Sequence, residues 1–256
     1  MGTVGLFDSG VGGLTVARAI RRRLPGADLL YLGDTARFPY GPRPGAQVEE
    51  FTRQGVTFLH AAGASRVVVA CNTATVAGLP EAAGASVPVW GVVKAGALPA
   101  VRATRNGRVL LLATQLTVDS GAHARLAAEV NPRVVIVGRS APDLVRLVEE
   151  GRLAGEATRE AVRAHARAVR EAGADTLILG STHIAALDEL FREILGETVT
   201  VVDPATELAE RLARVESGEG AGSWRLCVTG EPMAFRRAAE AVLGQGLPPP
   251  ERVRLE

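Results

Sequence analysis

Three observations predict an α/β fold built on parallel sheets and arranged as two similar halves. Short apolar runs alternate with Ala/Arg/Glu-rich stretches of helical character. The runs are continuous and do not alternate with polar residues, as expected of strands buried on both faces of a parallel sheet. One segment also recurs: GASRVVVACNTA (63–74) and GADTLILGSTHI (173–184) share a helix end, a strand and the loop that follows, 110 positions apart.

In chain order, strands are expected at 4–7, 29–32, 66–70, 87–91, 108–113, 133–137, 176–180, 198–203 and 224–229. Helical stretches such as 45–63 and 157–173 suit the crossovers of a parallel sheet, and each ends at a glycine. VGLFDSG from Val4 corresponds loosely to VLLLATQLTVDSG from Val109, so two matches occur in the same order and duplication is the better reading. The halves are expected at 1–93 and 94–205. The tail, with strand WRLCVTG and helix PMAFRRAAEAVLG, is expected to return to the first half, so that 206–256 completes it. SGEGAGS (217–223) reads as a flexible loop. Ligands of such sheets bind beyond the carboxyl ends of the strands.

Composition narrows the classes. A chain of 256 residues is long enough for one large or two compact domains, and 47% apolar residues can fill a core. A formal net charge of +1 gives no reason to expect nucleic acid or an anionic membrane as a partner. No apolar run approaches a membrane span, and MGTVGLFDSGVGG lacks the basic stretch and cleavage site of a signal peptide. Two cysteines make no disulfide framework, so a cytoplasmic location is expected. Lys94 is the only lysine. A pyridoxal-phosphate enzyme would need it, but in GVVKAG, at a strand end leading into a crossover, it reads as a surface or hinge residue.

The chemistry is expected at strand ends. DSGVGGLTV (8–16) places Asp8 and Ser9 before a glycine turn whose free N–H groups suit an anion. It has no GK[ST], and Thr15 takes the last glycine position of G-x-G-x-x-G, so for this motif alone a tight turn with Asp8 as helix cap is the plainer reading. DTARFPYG (34–41) offers Tyr40, one of two tyrosines, for a ligand-facing role, against an ordinary loop. ACNTAT (70–75) is the sharpest segment. A free cysteine is usually a small buried hydrophobe, and Cys227, between apolar residues of a strand, is read that way. Cys71 differs because Asn72, Thr73 and Thr75 follow it, groups able to bind an amino and a carboxylate function, while a helix start favours its thiolate. GSTHI (180–184) is the twin site, where Thr182 and His183 correspond to Asn72 and Thr73; its position in the repeat favours acid/base work for His183. His60, His123 and His165 lie on helical stretches, and no spacing suggests a metal site.

Together FDSGVGGLTV, GDTARFPYG, CNTAT and the strand-G-x-T-H segment resemble the aspartate/glutamate racemase family, in particular its glutamate-acting members, along nearly the whole chain, including VVDPATELAERL and the VTGEP tail. The resemblance implies two α/β domains facing each other across a cleft, with a cysteine from each acting without cofactor or metal on opposite faces of glutamate Cα. It implies a homodimer that supplies D-glutamate for peptidoglycan. It assigns substrate contacts to Asp8, Ser9, Tyr40, Gly41, Asn72, Thr73, Thr117, Thr182 and His183, with Asp8 assisting Cys71 and His183 assisting its counterpart. A thiol near pKa 8.5, tunable downward, suits the exchange, and donors around the substrate carboxylate would stabilise the developing charge.

The departure is Ser181, where the family has its second cysteine. A serine hydroxyl is a far weaker acid, so this form is expected to be of low or no activity. The intact surrounding motifs favour a serine introduced to silence turnover. HIAAL in place of the family's H-[YF]-P keeps natural loss of racemisation open, and Lys94-Ala95, where a proline is frequent, is a smaller deviation. The alternatives are a relative acting on another amino or dicarboxylic acid and a silent amino-acid-binding homologue. A single-cysteine decarboxylase would keep its thiol in the second half, which this chain does not.

Overall fold

The computed structural model describes residues 2–82, 86–215, 221–244 and 246–255. The chain runs β1 (Thr3–Asp8), α1 (Leu14–Arg23), β2 (Leu29–Gly33), α2 (Gly45–Ala61), β3 (Ala64–Val69), α3 (Asn72–Ala82), β4 (Val89–Gly91), α4 (Val93–Ala103), β5 (Arg108–Ala113), α5 (Gln115–Asp119) and α6 (Ala122–Val130). It continues through β6 (Val135–Ser140), α7 (Pro142–Glu149), α8 (Glu156–Glu171), β7 (Thr176–Gly180), α9 (Thr182–Ala185), α10 (Asp188–Leu195), β8 (Thr200–Val202), α11 (Pro204–Ala213), β9 (Trp224–Val228), α12 (Pro232–Leu243) and β10 (Glu251–Arg252).

The strands form two sheets, ordered β10-β9-β2-β1-β3-β4 and β6-β5-β7-β8, and every pairing is parallel. The order β2-β1-β3-β4 of the first sheet is repeated as β6-β5-β7-β8 in the second, so the duplicated segments occupy equivalent inner strands, β3 and β7. Strand β9 of the tail pairs with β2, with Leu29 opposite Trp224 and Leu32 opposite Cys227.

Local chemistry sets the element ends. Gly63 and Gly173 take positive φ (97° and 61°) just beyond α2 and α8, conformations that a side chain would oppose. Asp203 and Glu231 cap α11 and α12 through the amides of Ala205 and of Met233 and Ala234, and each is followed by a proline in the first turn, where no N–H is needed. Several strands differ from expectation. The sixth starts at Val135 and runs on to Ser140, because Asn131 turns the chain through its own bonds to the amides of Arg133 and Val134. The fourth starts only at Val89, and the eighth begins after a 3₁₀ turn at Gly196–Thr198. Lys94 is exposed in the first turn of α4 and not at a strand end. Of the glycine-rich loop expected at 217–223, residues 217–220 lie outside the described residues.

The inner strands are buried on both faces, which is why they read as unbroken apolar runs, whereas the edge strand β6 is largely exposed, with Val135 at 57% and Val137 at 49%. Helix α11 follows the second sheet, yet Ala205, Leu208, Ala209 and Leu212 pack into the core that α1 forms on the first sheet with Leu14, Ala17 and Ile20. Helix α4 likewise contributes Ala95 to that core and Ala100 to the second sheet's core. These two helices lock the sheets into one body with their carboxyl edges turned toward a common cavity. Among the described residues no helix is long and apolar enough to cross a membrane.

Candidate active site

The cavity has a volume of about 490 Å³ and its wall is assembled from strand ends. Ser9 follows β1, the loop Phe38–Pro42 follows β2, and Cys71, Asn72 and Thr73 follow β3. From the second sheet come Thr114 and Gln115 after β5, Ser140 at the end of β6 with Pro142, Val145 and Arg146 of α7, and Ser181, Thr182 and His183 after β7. A larger depression of about 670 Å³, lined by Arg18, Asp188 and Asp203 among others, holds none of these residues.

Cys71 and Ser181 occupy corresponding places, each immediately before a helix and each nearly buried, at 5% and 4% exposure. The Ser9 hydroxyl lies 3.6 Å from the Cys71 sulfur. Burial, reinforced by the Asp8 carboxylate, pushes the Cys71 thiol up to about 11. The helix start that was expected to favour thiolate does lower it through the Ala74 amide, but that contribution is the smaller one. Burial thus favours the neutral thiol in the resting site. Cys227 is fully buried among Leu30, Leu32 and Val69, away from the cavity.

Asp8 does not cap α1, whose N-cap is Gly13 without a side-chain bond. It is fully buried behind Ser9, where one oxygen accepts from the Gly10 amide at 2.9 Å and the other from the Thr182 hydroxyl at 3.2 Å. That second bond joins the two halves. Burial raises its pKa against the lowering influence of His183 and nearby amides.

His183 is held by a residue that sequence reasoning missed. Its Nε2 donates to Glu149 Oε2 at 2.6 Å, and the same oxygen accepts from the Val11 amide at 3.3 Å. Burial opposes the imidazolium, but the hydrogen bond and charge of Glu149, with Asp8 adding to them, outweigh it and raise the His183 pKa. The only hint was an acid in the last turn of α7, where the helix dipole disfavours a negative charge unless tertiary structure supplies a partner.

The remaining assignments separate cleanly. Asn72 is 2% exposed, and neither its amide oxygen nor its nitrogen has a partner among the described residues, so both are available to a ligand. Thr73 Oγ1 lies 2.8 Å from Thr114 Oγ1, again across the two halves. Thr117 is corrected: it is fully buried behind Thr114, accepts its hydroxyl proton at 3.0 Å, and is absent from the wall. Thr114 holds the place expected of it, and its position at the end of β5 was the available signal. Tyr40 lines the cavity with its ring, but its hydroxyl donates to Asp34 and does not face the ligand space. Asp34 also accepts from Arg37 Nε at 2.6 Å and the Thr229 hydroxyl at 2.7 Å, so it ties the loop carrying Tyr40 and Gly41 to the end of β9. At the other end of that loop Phe38 reaches the second half, its ring 5.6 Å from that of His183.

A cavity whose wall carries a thiol from one half, a hydroxyl and an imidazole from the other, and the unpaired amide of Asn72 suits proton transfer at a small polar substrate. Comparison with known proteins agrees. The profile of the Asp/Glu/hydantoin racemase family matches residues 14–212. A glutamate racemase of Beutenbergia cavernae is 41% identical over 261 residues, covering 94% of this chain and 89% of that protein. Among solved structures, a glutamate racemase isoform of Bacillus anthracis superposes with a TM-score of 0.92 at 33% identity, covering 99% of this chain and 97% of that one. The glutamate racemase of Francisella tularensis, solved in complex with D-glutamate, gives 0.88 at 27% identity over 99% and 98% of the two chains.

Proposed function

Since this chain belongs to the Asp/Glu/hydantoin racemase family, we propose that its cavity binds glutamate and that Cys71 moves the proton at Cα from one face, with position 181 serving the opposite face. The observation that carries this reading is the placement of Cys71 and Ser181 at equivalent strand ends on the wall of one cavity. Inverting a stereocentre needs a base on one face and an acid on the other, and a pair of duplicated halves supplies them from opposite directions. The names of the relatives support glutamate as the substrate, and the paired hydroxyls with the open Asn72 amide suit a carboxylate and an ammonium group.

Proton transfer from Cα requires the Cys71 thiolate, which the buried site disfavours before substrate enters. The ammonium group of glutamate supplies a positive charge beside it and lowers the thiol pKa, and Asp8, whose own pKa is raised, accepts the proton released. On the other face His183, oriented by Glu149, whose charge raises its pKa, serves position 181. Serine there is too weak an acid to return a proton at a useful rate, so racemisation by this form is slow or absent while exchange at the Cys71 face persists. In the same reading the protein works in the cytoplasm as a homodimer and supplies D-glutamate to peptidoglycan. A silent amino-acid-binding protein is the competing reading, and it would exchange no Cα proton.

The test is exchange in heavy water. The chain as it stands is expected to deuterate one enantiomer of glutamate with retention, by family analogy D-glutamate. Cys71→Ser is expected to abolish this, and Cys227→Ser to leave it intact. Ser181→Cys is expected to establish interconversion, followed by circular dichroism, with a gain of about 10²-fold or more. A serine form that racemises as fast as the cysteine form sinks the two-thiol mechanism.

A further inference from the structure

The cavity wall carries one permanent positive charge, and the fold leaves it unpaired. Arg146 is an exposed residue of α7 that borders the cavity beside Pro142 and Val145. On a helix an arginine can pair with an acid three or four positions away. Three acids have that spacing here, and each is engaged elsewhere. Asp143 holds His165 Nε2 at 3.1 Å through both oxygens, Glu149 holds His183 Nε2 at 2.6 Å, and Glu150 lies 3.3 Å from Arg152. Among the described residues no ion pair or side-chain hydrogen bond of Arg146 is found. No carboxylate stands on the wall either, and His183 is its one other basic group. The wall itself therefore offers an anion one unpaired cationic partner at the mouth.

We propose that Arg146 is a specificity residue that draws a dicarboxylic amino acid into the cavity and pairs with its side-chain carboxylate, so that glutamate is preferred to its neutral amide, glutamine. This rests on the glutamate reading above and adds to it the group that selects the second negative charge. Cα reacts at the buried end, beside Cys71 and Ser181, so the substrate group held by exposed Arg146 is the one farthest from Cα. Because the guanidinium stays in contact with water, the pair is screened and its effect falls on binding and not on chemistry.

The experiment compares the parent chain with Arg146→Gln and Arg146→Lys. D- and L-glutamate and glutamine binding are measured by calorimetry, and kcat and KM for glutamate are measured in the Ser181→Cys background. At roughly 0.05 M salt, Arg146→Gln is expected to raise Kd and KM for glutamate about three- to tenfold, with kcat within about twofold. Glutamine binding should be unchanged, Arg146→Lys should recover most of the loss, and the difference should fade near about 0.5 M salt. Equal weakening of glutamate and glutamine, or no change in glutamate binding by a variant with parental thermal unfolding, overturns the assignment while leaving the glutamate reading in place. Failure of the folded parent itself to bind or exchange glutamate overturns both.

Discussion

At the scale of single residues, the decisive arrangement is the pair of carboxylates behind the wall, Asp8 fully buried and Glu149 partly so. Asp8 and Glu149 each hold a residue in the first turn of α9, Thr182 at 3.2 Å and His183 at 2.6 Å. Glu149 is a positioning residue: its charge raises the His183 pKa and its hydrogen bond fixes the ring. In the Ser181→Cys background, Glu149→Gln keeps the size of the side chain but removes the charge. We expect turnover to fall about ten- to a hundredfold, and the limb of the pH–rate profile that reports His183 to move to lower pH, since the imidazolium loses its main support. A profile that keeps its shape would mean that the pair is structural only.

At the scale of elements, the loop between β1 and α1 acts as the spacer between the halves. A Cβ on Gly12 would stand 2.5 Å from His183 Nδ1, 2.7 Å from the His183 amide nitrogen and 2.7 Å from Thr182 Oγ1. Gly13 meets Asp8 as closely, at 2.6 Å. Gly12 is required by contact with the second half and Gly13 by contact with Asp8 and Ala70 of its own sheet, for neither takes a positive φ. Gly12→Ala is therefore expected to cost about 1–3 kcal/mol of stability and to displace Thr182 and His183 at the start of α9. Thermal unfolding and Cα exchange measured together check this: lowered stability with full exchange would place the strain elsewhere. The opposite wall is fixed by Asp34, which gathers Tyr40, Arg37 and Thr229, so the tail strand takes part in holding the Tyr40–Gly41 loop.

At the scale of the molecule, two cores are bridged by α4 and α11, and a buried histidine stands at that bridge. His123 on α6 is 1% exposed, neither ring nitrogen has a partner among the described residues, and its Nε2 comes within 3.6 Å of the space over Gly96 on α4. Burial lowers its pKa to about 4. The unfolded chain, with an ordinary histidine near pKa 6.5, binds that proton more readily, so stability is lost as pH falls below about 6.5 and the loss levels off near the folded value. The cost amounts to about 3 kcal/mol at the acid end, as an order of magnitude. His123→Leu, which removes the unpaired polar ring, is expected to flatten the stability profile between about pH 6.5 and 4. Denaturant unfolding at a series of pH values decides it: an equally steep acid loss in the variant would clear His123.

What the sequence determined by itself was whatever depends on local pattern and on position relative to a strand. Unbroken apolar runs announced parallel strands, glycines marked helix ends, and the repeat placed Cys71 and Ser181 at equivalent strand ends before any contact was known. Residues that touch the cavity because they follow a strand, such as Ser9, Asn72, Thr182 and His183, were legible for the same reason. Tertiary structure alone decided the rest. Glu149 and Arg146 lie three residues apart on α7, and only the packing of that helix turns one acid inward to His183 and leaves the arginine beside the cavity without an acid. The Cys71 pKa was misjudged from sequence because a helix start is a local feature whereas burial and the charge of Asp8 are not. Thr117 and Thr114 lie within one turn of each other, and only the three-dimensional course of β5 into α5 decides which hydroxyl reaches the ligand space. Desolvation and contact across the two halves depend on where distant segments meet, and no window of sequence contains both partners.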